Sequence, residues 1–229
     1  MKKSILLILC SLLMTSCAIY TPHAVDIPLM QEKGDLRVDG GVSMTFPALV
    51  PNVNVTGTYG FTNCLAGQGH IDFTYGGYFF QGATGLYKPF GKFVLEGYAG
   101  AGVGGRNFTR EGTNYERLYN SFYQLYYGQM NMGFANLANG CIDIGVGLKL
   151  GSMVSDMTCT FTALEPGDER DPEHYNGSNL LFEPQFTVRF GGPKVKFGIH
   201  LSYAELVDWD DTFFYHEPFN IGISCNLNF

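Results

Sequence analysis

Hydrophobic and polar residues alternate one by one along most of this chain, the period of an extended strand with two unlike faces. The last ten residues show it without a break: Ile221, Ile223, Cys225, Leu227 and Phe229 fall on one face, and Asn220, Gly222, Ser224, Asn226 and Asn228 on the other. The same reading predicts a first strand over 36–46, with Leu36, Val38, Val42, Met44 and Phe46 against Arg37, Asp39, Ser43 and Thr45. A second follows over 52–61, with Val53, Val55, Tyr59 and Phe61 against Asn52, Asn54, Thr56 and Thr58. In a third, over 65–75, Ile71, Phe73 and Tyr75 oppose Gln68, His70, Asp72 and Thr74. A fourth spans 79–88 and does not reveal its facing.

Beyond the turn at Pro89 to Lys92, a fifth strand covers 93–104, with Leu95, Ala99, Ala101 and Val103 opposite Glu96, Tyr98, Gly100 and Gly102. A sixth covers 121–134, aromatic and Met-rich, with Gln129 and Asn131 on its polar face. Asn139-Gly140 is a hairpin signal. The seventh, 142–151, sets Ile142, Ile144, Val146, Leu148 and Leu150 against Asp143, Gly145, Gly147 and Lys149. The eighth, 181–190, opposes Phe182, Phe186, Val188 and Phe190 to Glu183, Gln185, Thr187 and Arg189. The ninth, 195–203, opposes Val195, Phe197, Ile199 and Leu201 to Lys196, His200 and Ser202, and 220–229 is the tenth. Residues 106–120, 152–179 and 204–218 read as long polar loops, though 153–162 has a pattern that extends the hairpin.

Ten strands is an even number. The connections after strands two, four, six and eight are short, and those after five, seven and nine are long. That asymmetry is how transmembrane barrels are built, with short periplasmic turns and long extracellular loops. Strands of this length suit a tilted bilayer crossing. The predicted fold is therefore all-β: a closed antiparallel up-and-down transmembrane barrel in the outer membrane. A lipid-tethered soluble β-barrel, with its apolar face turned inward around a small apolar ligand, is the alternative. Composition fits either: 229 residues, 45% hydrophobic and 15% charged, with 14 Tyr and 19 Phe against a single Trp, is neither disordered nor collagenous.

The amino terminus adds compartment. Lys2 and Lys3 precede an apolar run of signal-peptide length, too short to span a membrane. Two cleavage sites fit, one before Cys17 and one after Ala18. The first makes 1–16 the signal peptide, 17–34 a lipidated periplasmic tether with Pro22 and Pro28, and 35–229 the barrel domain. Loss of 1–16 takes the formal net charge from −7 to −9, which speaks against nucleic acid as a partner.

Three short segments resemble known families. Leu13-Met14-Thr15-Ser16-Cys17 resembles a bacterial lipobox, with Met14 where Leu is usual, and implies acylation at Cys17. A terminal Phe on the apolar face of the last strand resembles the targeting strand of outer-membrane barrels, implying that Ile221, Ile223, Leu227 and Phe229 are read by the outer-membrane assembly machinery. Ile27-Pro28-Leu29-Met30-Gln31-Glu32-Lys33-Gly34-Asp35 resembles the lead into the first strand of small Bacteroidota outer-membrane β-barrel proteins.

With the apolar face against lipid, the polar face lines a lumen. Arg37, Lys149, Arg189 and Lys196 then meet Asp39, Asp72, Glu96, Asp143 and Glu183, with His70 and His200 among them. Near balance of sign predicts mutual pairing and a closed structural core, with a narrow pore for small solutes as the alternative. Lumen glycines of strands five and seven leave room for a gap.

Other motifs weigh less. Gly100-x-Gly102-x-x-Gly105 matches a dinucleotide-binding pattern, but no helix follows it. Cys64, Cys141, Cys159 and Cys225 have no metal spacing. Acidic loops hold Glu165, Asp168, Glu169, Asp171 and Glu173, and then Glu205, Asp208, Asp210, Asp211 and Glu217. These read first as a solvated acidic rim; Asp208, Asp210 and Asp211 are the weak candidate for a cation site, which would bridge lipopolysaccharide phosphates. With His216 they faintly resemble the rim of ten-stranded outer-membrane proteases. The expected role is structural or surface-interacting, without catalysis or cofactor, in a monomer whose partners are outer-membrane lipid and lipopolysaccharide.

Overall fold

The computed structural model describes residues 20–22, 27–111, 115–163, 170–208 and 216–229. Its strands are β1 (Leu36–Phe46), β2 (Val50–Gly60), β3 (Leu65–Thr74), β4 (Gly77–Phe90), β5 (Phe93–Glu111), β6 (Tyr115–Asn136), β7 (Ile142–Ala163), β8 (Glu173–Gly191), β9 (Val195–Tyr203), β10 (Glu205–Asp208) and β11 (Phe219–Asn228). Each pairs antiparallel with its neighbours. β1 closes on β11, and β11 leads through β9 back to β8.

β9 and β10 share one register along β8, since Gln185 faces Ser202 and Phe182 faces Glu205. They are two halves of a single stave interrupted at Ala204, whose N–H bonds Pro218 O at 2.7 Å. The result is a closed barrel of ten staves. At the seam Leu36 and Phe229 exchange both backbone hydrogen bonds, at 3.2 and 2.9 Å.

The apolar series faces out and the polar series faces in. Val53, Ile199 and Ile223 are 55%, 51% and 62% exposed, while Asn52, Asn54, Asp143 and Lys149 are buried. A soluble barrel with an apolar cavity would have the opposite facing, so that alternative is overturned. Outward aromatics gather in two girdles. One is at the short-turn end, with Tyr59 against Phe61 and Phe93 against Phe134. The other is at the loop end, with Phe73 against Phe80 and Tyr203 against Phe219. Along β6 the girdles at Phe134 and Phe122 are about twelve residues apart. That is about 40 Å of strand and about 30 Å of depth at a tilt of about 40°, the thickness of a hydrocarbon core. The chain is thus an integral barrel of the kind that spans the bacterial outer membrane.

Several expectations are corrected. Residues 106–120 are not a loop: β5 runs on to Glu111 and β6 starts at Tyr115. Likewise β7 reaches Ala163 and β8 starts at Glu173, within the stretch predicted as a polar excursion, and β10 falls within 204–218. Above the outer girdle the outward face of these extensions meets water and need not be apolar, so they lack the hydrophobic alternation by which strands are recognised, although Met153, Met157 and Cys159 remain buried on the inner face. β5 to β8 therefore form a tall wall above a low rim at the β1–β2 and β3–β4 turns. The fourth strand turns Phe79, Gln81 and Tyr87 inward and Phe80 and Leu86 outward. At the predicted Asn139-Gly140 hairpin, Asn136, Ala138, Asn139 and Gly140 all take positive φ.

Within the stretch 17–34, expected as a periplasmic tether, the described residues 20–22 and 27–30 do not hang free. Tyr20, Ile27, Leu29 and Met30 are almost completely buried, inside the barrel. The apolar side chains of this stretch find their cover in the lumen.

A charge at the lipid face will separate from one on the tall wall. Ile199→Arg should cost about 2–4 kcal/mol, lowering the urea midpoint of the heat-modifiable band in lipid vesicles. Thr160→Arg, above the membrane, should leave that midpoint unchanged.

Candidate functional site

The lumen is where sequence places charge against charge, and the structure brings these groups together with the buried amino-terminal segment, here called the strap. At the loop end Tyr20 bridges to His216 as a parallel strand, and its carbonyl accepts the Glu217 N–H at 3.1 Å. Pro22 O accepts from the Asn220 side chain at 2.7 Å. At the short-turn end the Met30 N–H donates to Glu96 Oε1 at 2.7 Å, and Gly34 N donates to Gly60 O at 2.9 Å. The described parts of the strap thus stand at the two ends of the lumen, 20–22 by the loops and 27–34 by the short turns, where it joins β1.

Inward glycines make room for it. A methyl group at Gly145 would lie 2.8 Å from Ile27 Cγ2, and one at Gly133 would lie 2.9 Å from Leu29 Cδ2. Glycines on β5 do the same for rings, as a methyl at Gly102 would lie 2.6 Å from Phe79 Cζ. The dinucleotide-like glycine run is a packing surface for lumen aromatics.

Around the strap's foot the predicted charges pair. Lys196 Nζ donates to Asp143 Oδ1 at 2.6 Å and to Asn136 Oδ1 at 3.1 Å. The Asn136 N–H reaches the same carboxylate oxygen at 2.8 Å, and Arg37 Nη1 stands 4.0 Å from Asp143 Oδ2. Arg189 Nε lies 3.5 Å from Asp39 Oδ2, which also accepts from Asn226 at 3.3 Å. Glu96 takes, besides Met30, the Asn131 amide at 3.1 Å.

Midway, Lys149 Nζ is 3.9 Å from Glu183 Oε1, 3.4 Å from Gln81 Oε1 and 5.0 Å from the Tyr127 ring centroid. Glu183 also accepts from Tyr20 at 2.5 Å and from Gln185 at 2.7 Å. His70 Nδ1 and Thr56 Oγ1 are 2.7 Å apart. Asp72 and His200 are buried on the same inner wall. All eleven predicted lumen residues face inward, ten fully buried and Asp39 half-buried.

The outer half of the lumen differs from the expected polar interior. Phe79, Tyr123, Leu125, Tyr127, Met153, Met157, Leu181 and Leu206 form an apolar cluster there, with Tyr20 within it. Tyr20 meets Tyr123 edge-on at 5.8 Å between ring centroids. Sequence reasoning missed this cluster because it assigned no facing to the fourth strand and left 153–162 uncertain. It missed the strap too, although an Ile27-Pro28-Leu29-Met30 run in a supposed tether and unfilled inward glycines are complementary signals.

Little space remains. The polar cavity between Ile27, Pro28, Arg37, Thr56 and Arg189 has about 10 Å³, enough for at most one water. The wide depressions are on the lipid side; one of about 590 Å³ lies over Gly57, Gly69, Gly82 and Ala101.

The remaining predicted sites fare differently. Ile221, Ile223 and Phe229 of the targeting strand are exposed on the outside wall and Leu227 is half-exposed there. Cys17, Asp210, Asp211 and the Asp208 side chain lie outside the described residues, as do Glu165, Asp168 and Glu169. Among the described residues no three His, Cys, Asp or Glu side chains stand together to hold a metal ion. Glu173 and Glu217 have other partners: the Tyr175 hydroxyl donates to Glu173, and the Ala48 N–H to Glu217 at 3.2 Å. Donating to the Glu173 carboxylate pushes the Tyr175 pKa up to about 12. Burial pushes the Cys159 thiol up, away from the reactive thiolate.

No protein-family profile matches the chain, and no curated protein matches it. Among solved structures it is similar to Ail, the attachment invasion locus protein of Yersinia pestis, at 13% identity and a TM-score of 0.36, over 86% of this chain and 99% of that one. It is also similar to the outer membrane protein Omp33 of Acinetobacter baumannii, at 10% identity and a TM-score of 0.34, over 87% and 100%. The N-terminal β-barrel domain of Pseudomonas aeruginosa OprF matches at 6% identity and a TM-score of 0.30, over 87% and 100%. At such distances the chain's own geometry carries the interpretation.

Breaking the tightest pair should be expensive. Asp143→Asn leaves Lys196 buried without its carboxylate and should cost about 3–5 kcal/mol. Adding Lys196→Met should recover part of that, giving a non-additive double-mutant cycle in urea unfolding. The strap has its own test. The Gly145 methyl position is 3.6 Å from Ile27 Cβ, within disulfide range. Ile27→Cys with Gly145→Cys should therefore crosslink on mild oxidation, read as a reducible mobility change of the unfolded chain, while Lys33→Cys with Gly145→Cys should not.

Proposed function

We propose that this chain is a closed structural barrel of the outer membrane, of the small Bacteroidota type, that displays a tall β-sheet wall outside and conducts nothing. The observation that carries the reading is the strap: Tyr20 at the loop end and Ile27, Leu29 and Met30 near the short turns are buried inside the chain's own lumen. With the inward charges set against one another and the strap donating to Glu96 and Glu183, the barrel offers solutes no continuous polar path. The wall of β5 to β8 is what it offers outward. There Phe108 stacks on Tyr119 at 4.7 Å, and Arg117 lies 5.5 Å from the Phe161 ring centroid. An aromatic wall that carries charges of both signs, Arg117 next to Glu116 among them, suits contact with envelope components, lipopolysaccharide included, and not catalysis.

Under this proposal the chain is made with a signal peptide, is acylated at Cys17, and is inserted through its terminal strand by the outer-membrane assembly machinery. It acts as a monomer. The acidic triad of Asp208, Asp210 and Asp211 has the donor chemistry for a divalent cation.

Two measurements on the purified full chain test it. Unboiled protein from outer-membrane fractions should run as a compact band that shifts on boiling, and in planar bilayers it should give no unitary conductance steps. Reproducible steps would replace this reading with the narrow pore.

A further inference from the structure

We infer that the strap carries the amino-terminal end of the mature chain out through the loop end of the barrel, so that Cys17 is presented at the outer leaflet, on the cell surface. The inference rests on the reading of the short turns as periplasmic. It reverses the side on which a tether before the first strand would ordinarily hang.

Direction comes first. β1 begins at the short-turn end, where Leu36 pairs with Phe229. A segment preceding β1 would hang below that end if it stayed outside the barrel. Instead Met30 is fixed near the foot by Glu96, and Tyr20 near the top by the backbone of His216 and Glu217, just ahead of β11. Going backward along the sequence, the chain climbs.

Reach then decides the side. Three residues separate Cys17 from Tyr20, a span of at most about 11 Å. The hydrocarbon core is about 30 Å deep, so Cys17 cannot return to the periplasmic leaflet.

The place of exit also suits a lipid-bound residue. Tyr20 is held on the low side of the rim, where β9 ends at Tyr203 and the β1–β2 turn lies between Phe46 and Val50. Glu217, its backbone neighbour, accepts the Ala48 N–H of that turn. Outside this rim Tyr203 and Phe219 pack at 4.9 Å between centroids, in the outer girdle. Among the described residues, the rim beside Tyr20 on the β11 and β1 side is the short β1–β2 turn, while the tall wall of β5 to β8 stands on other staves. Cleavage after Ala18 would leave Ile19 as the first residue at the same exit.

The test is thiol labelling of the full chain with Ile19→Cys, using a membrane-impermeant maleimide on intact cells. Cys64 and Cys141 are exposed at the short-turn end and serve as internal controls for the opposite side. The expected result is labelling at position 19 on intact cells at nearly its level after permeabilisation, with Cys64 and Cys141 labelled only after permeabilisation. Labelling at position 19 only after permeabilisation, in protein that still shows the heat-modifiable band, would overturn the threading and leave the barrel reading intact. Loss of that band from the unaltered chain would overturn the barrel reading and the inference with it. If Ile19→Cys itself fails to fold, an epitope inserted between Ala18 and Ile19 gives the same two outcomes by antibody binding.

Discussion

In a bilayer no water is available to satisfy backbone N–H and C=O groups, so every strand needs a partner on both sides. The bonds between β1 and β11, running from Arg37 opposite Asn228 to Phe46 opposite Phe219, meet that demand at the one place where sequence neighbours cannot. Closure then forces the rest. Once the ring is sealed, each stave has one face to lipid and one to a shared interior. Ten staves enclose more room than their own inward side chains fill, since eight give an interior just filled. The inward faces of β5 to β7 widen the space further through Gly102, Gly133, Gly145 and Gly147. The strap occupies that space, and the buried charges gain partners they would otherwise have to find in water.

The outward half of this design was legible in the sequence wherever lipid imposes a rule. Ile221 to Phe229 alternate because one face must be apolar, and the same rule disclosed Arg37, Asp143, Lys149 and Lys196 as inward residues. It fell silent where lipid does not reach. Above the girdles Thr160, Cys159, Tyr119 and Leu118 are strand residues wetted or packed by local need, and no period distinguishes them from loop. Inside the barrel the rule is equally silent on identity, because an inward position needs only to fit its neighbours. Tyr123 and Met153 fit the apolar upper lumen as properly as Lys149 and Glu183 fit the polar lower one. The strap was hidden for another reason: Ile27 to Met30 have no periodicity, and their environment is supplied by glycines more than a hundred residues away.

The two halves of the lumen divide the work of keeping it shut. Below, Asp143 gathers Lys196, Arg37 and the Asn136 backbone into one knot, where loss of that one carboxylate leaves two buried cations without it. Above, rings and thioethers of Phe79, Tyr123 and Met153 exclude water by packing alone. Tyr20 joins both regimes: its ring lies in the apolar cluster and its hydroxyl reaches Glu183.

That the strap is continuous with β1 has a topological consequence. The end of β1 that seals against β11 is also the end at which the chain turns into the lumen, so closing the ring encloses the chain's own leading segment. The plug and the first stave are one covalent piece, and the strap is the mandrel around which the cylinder stands.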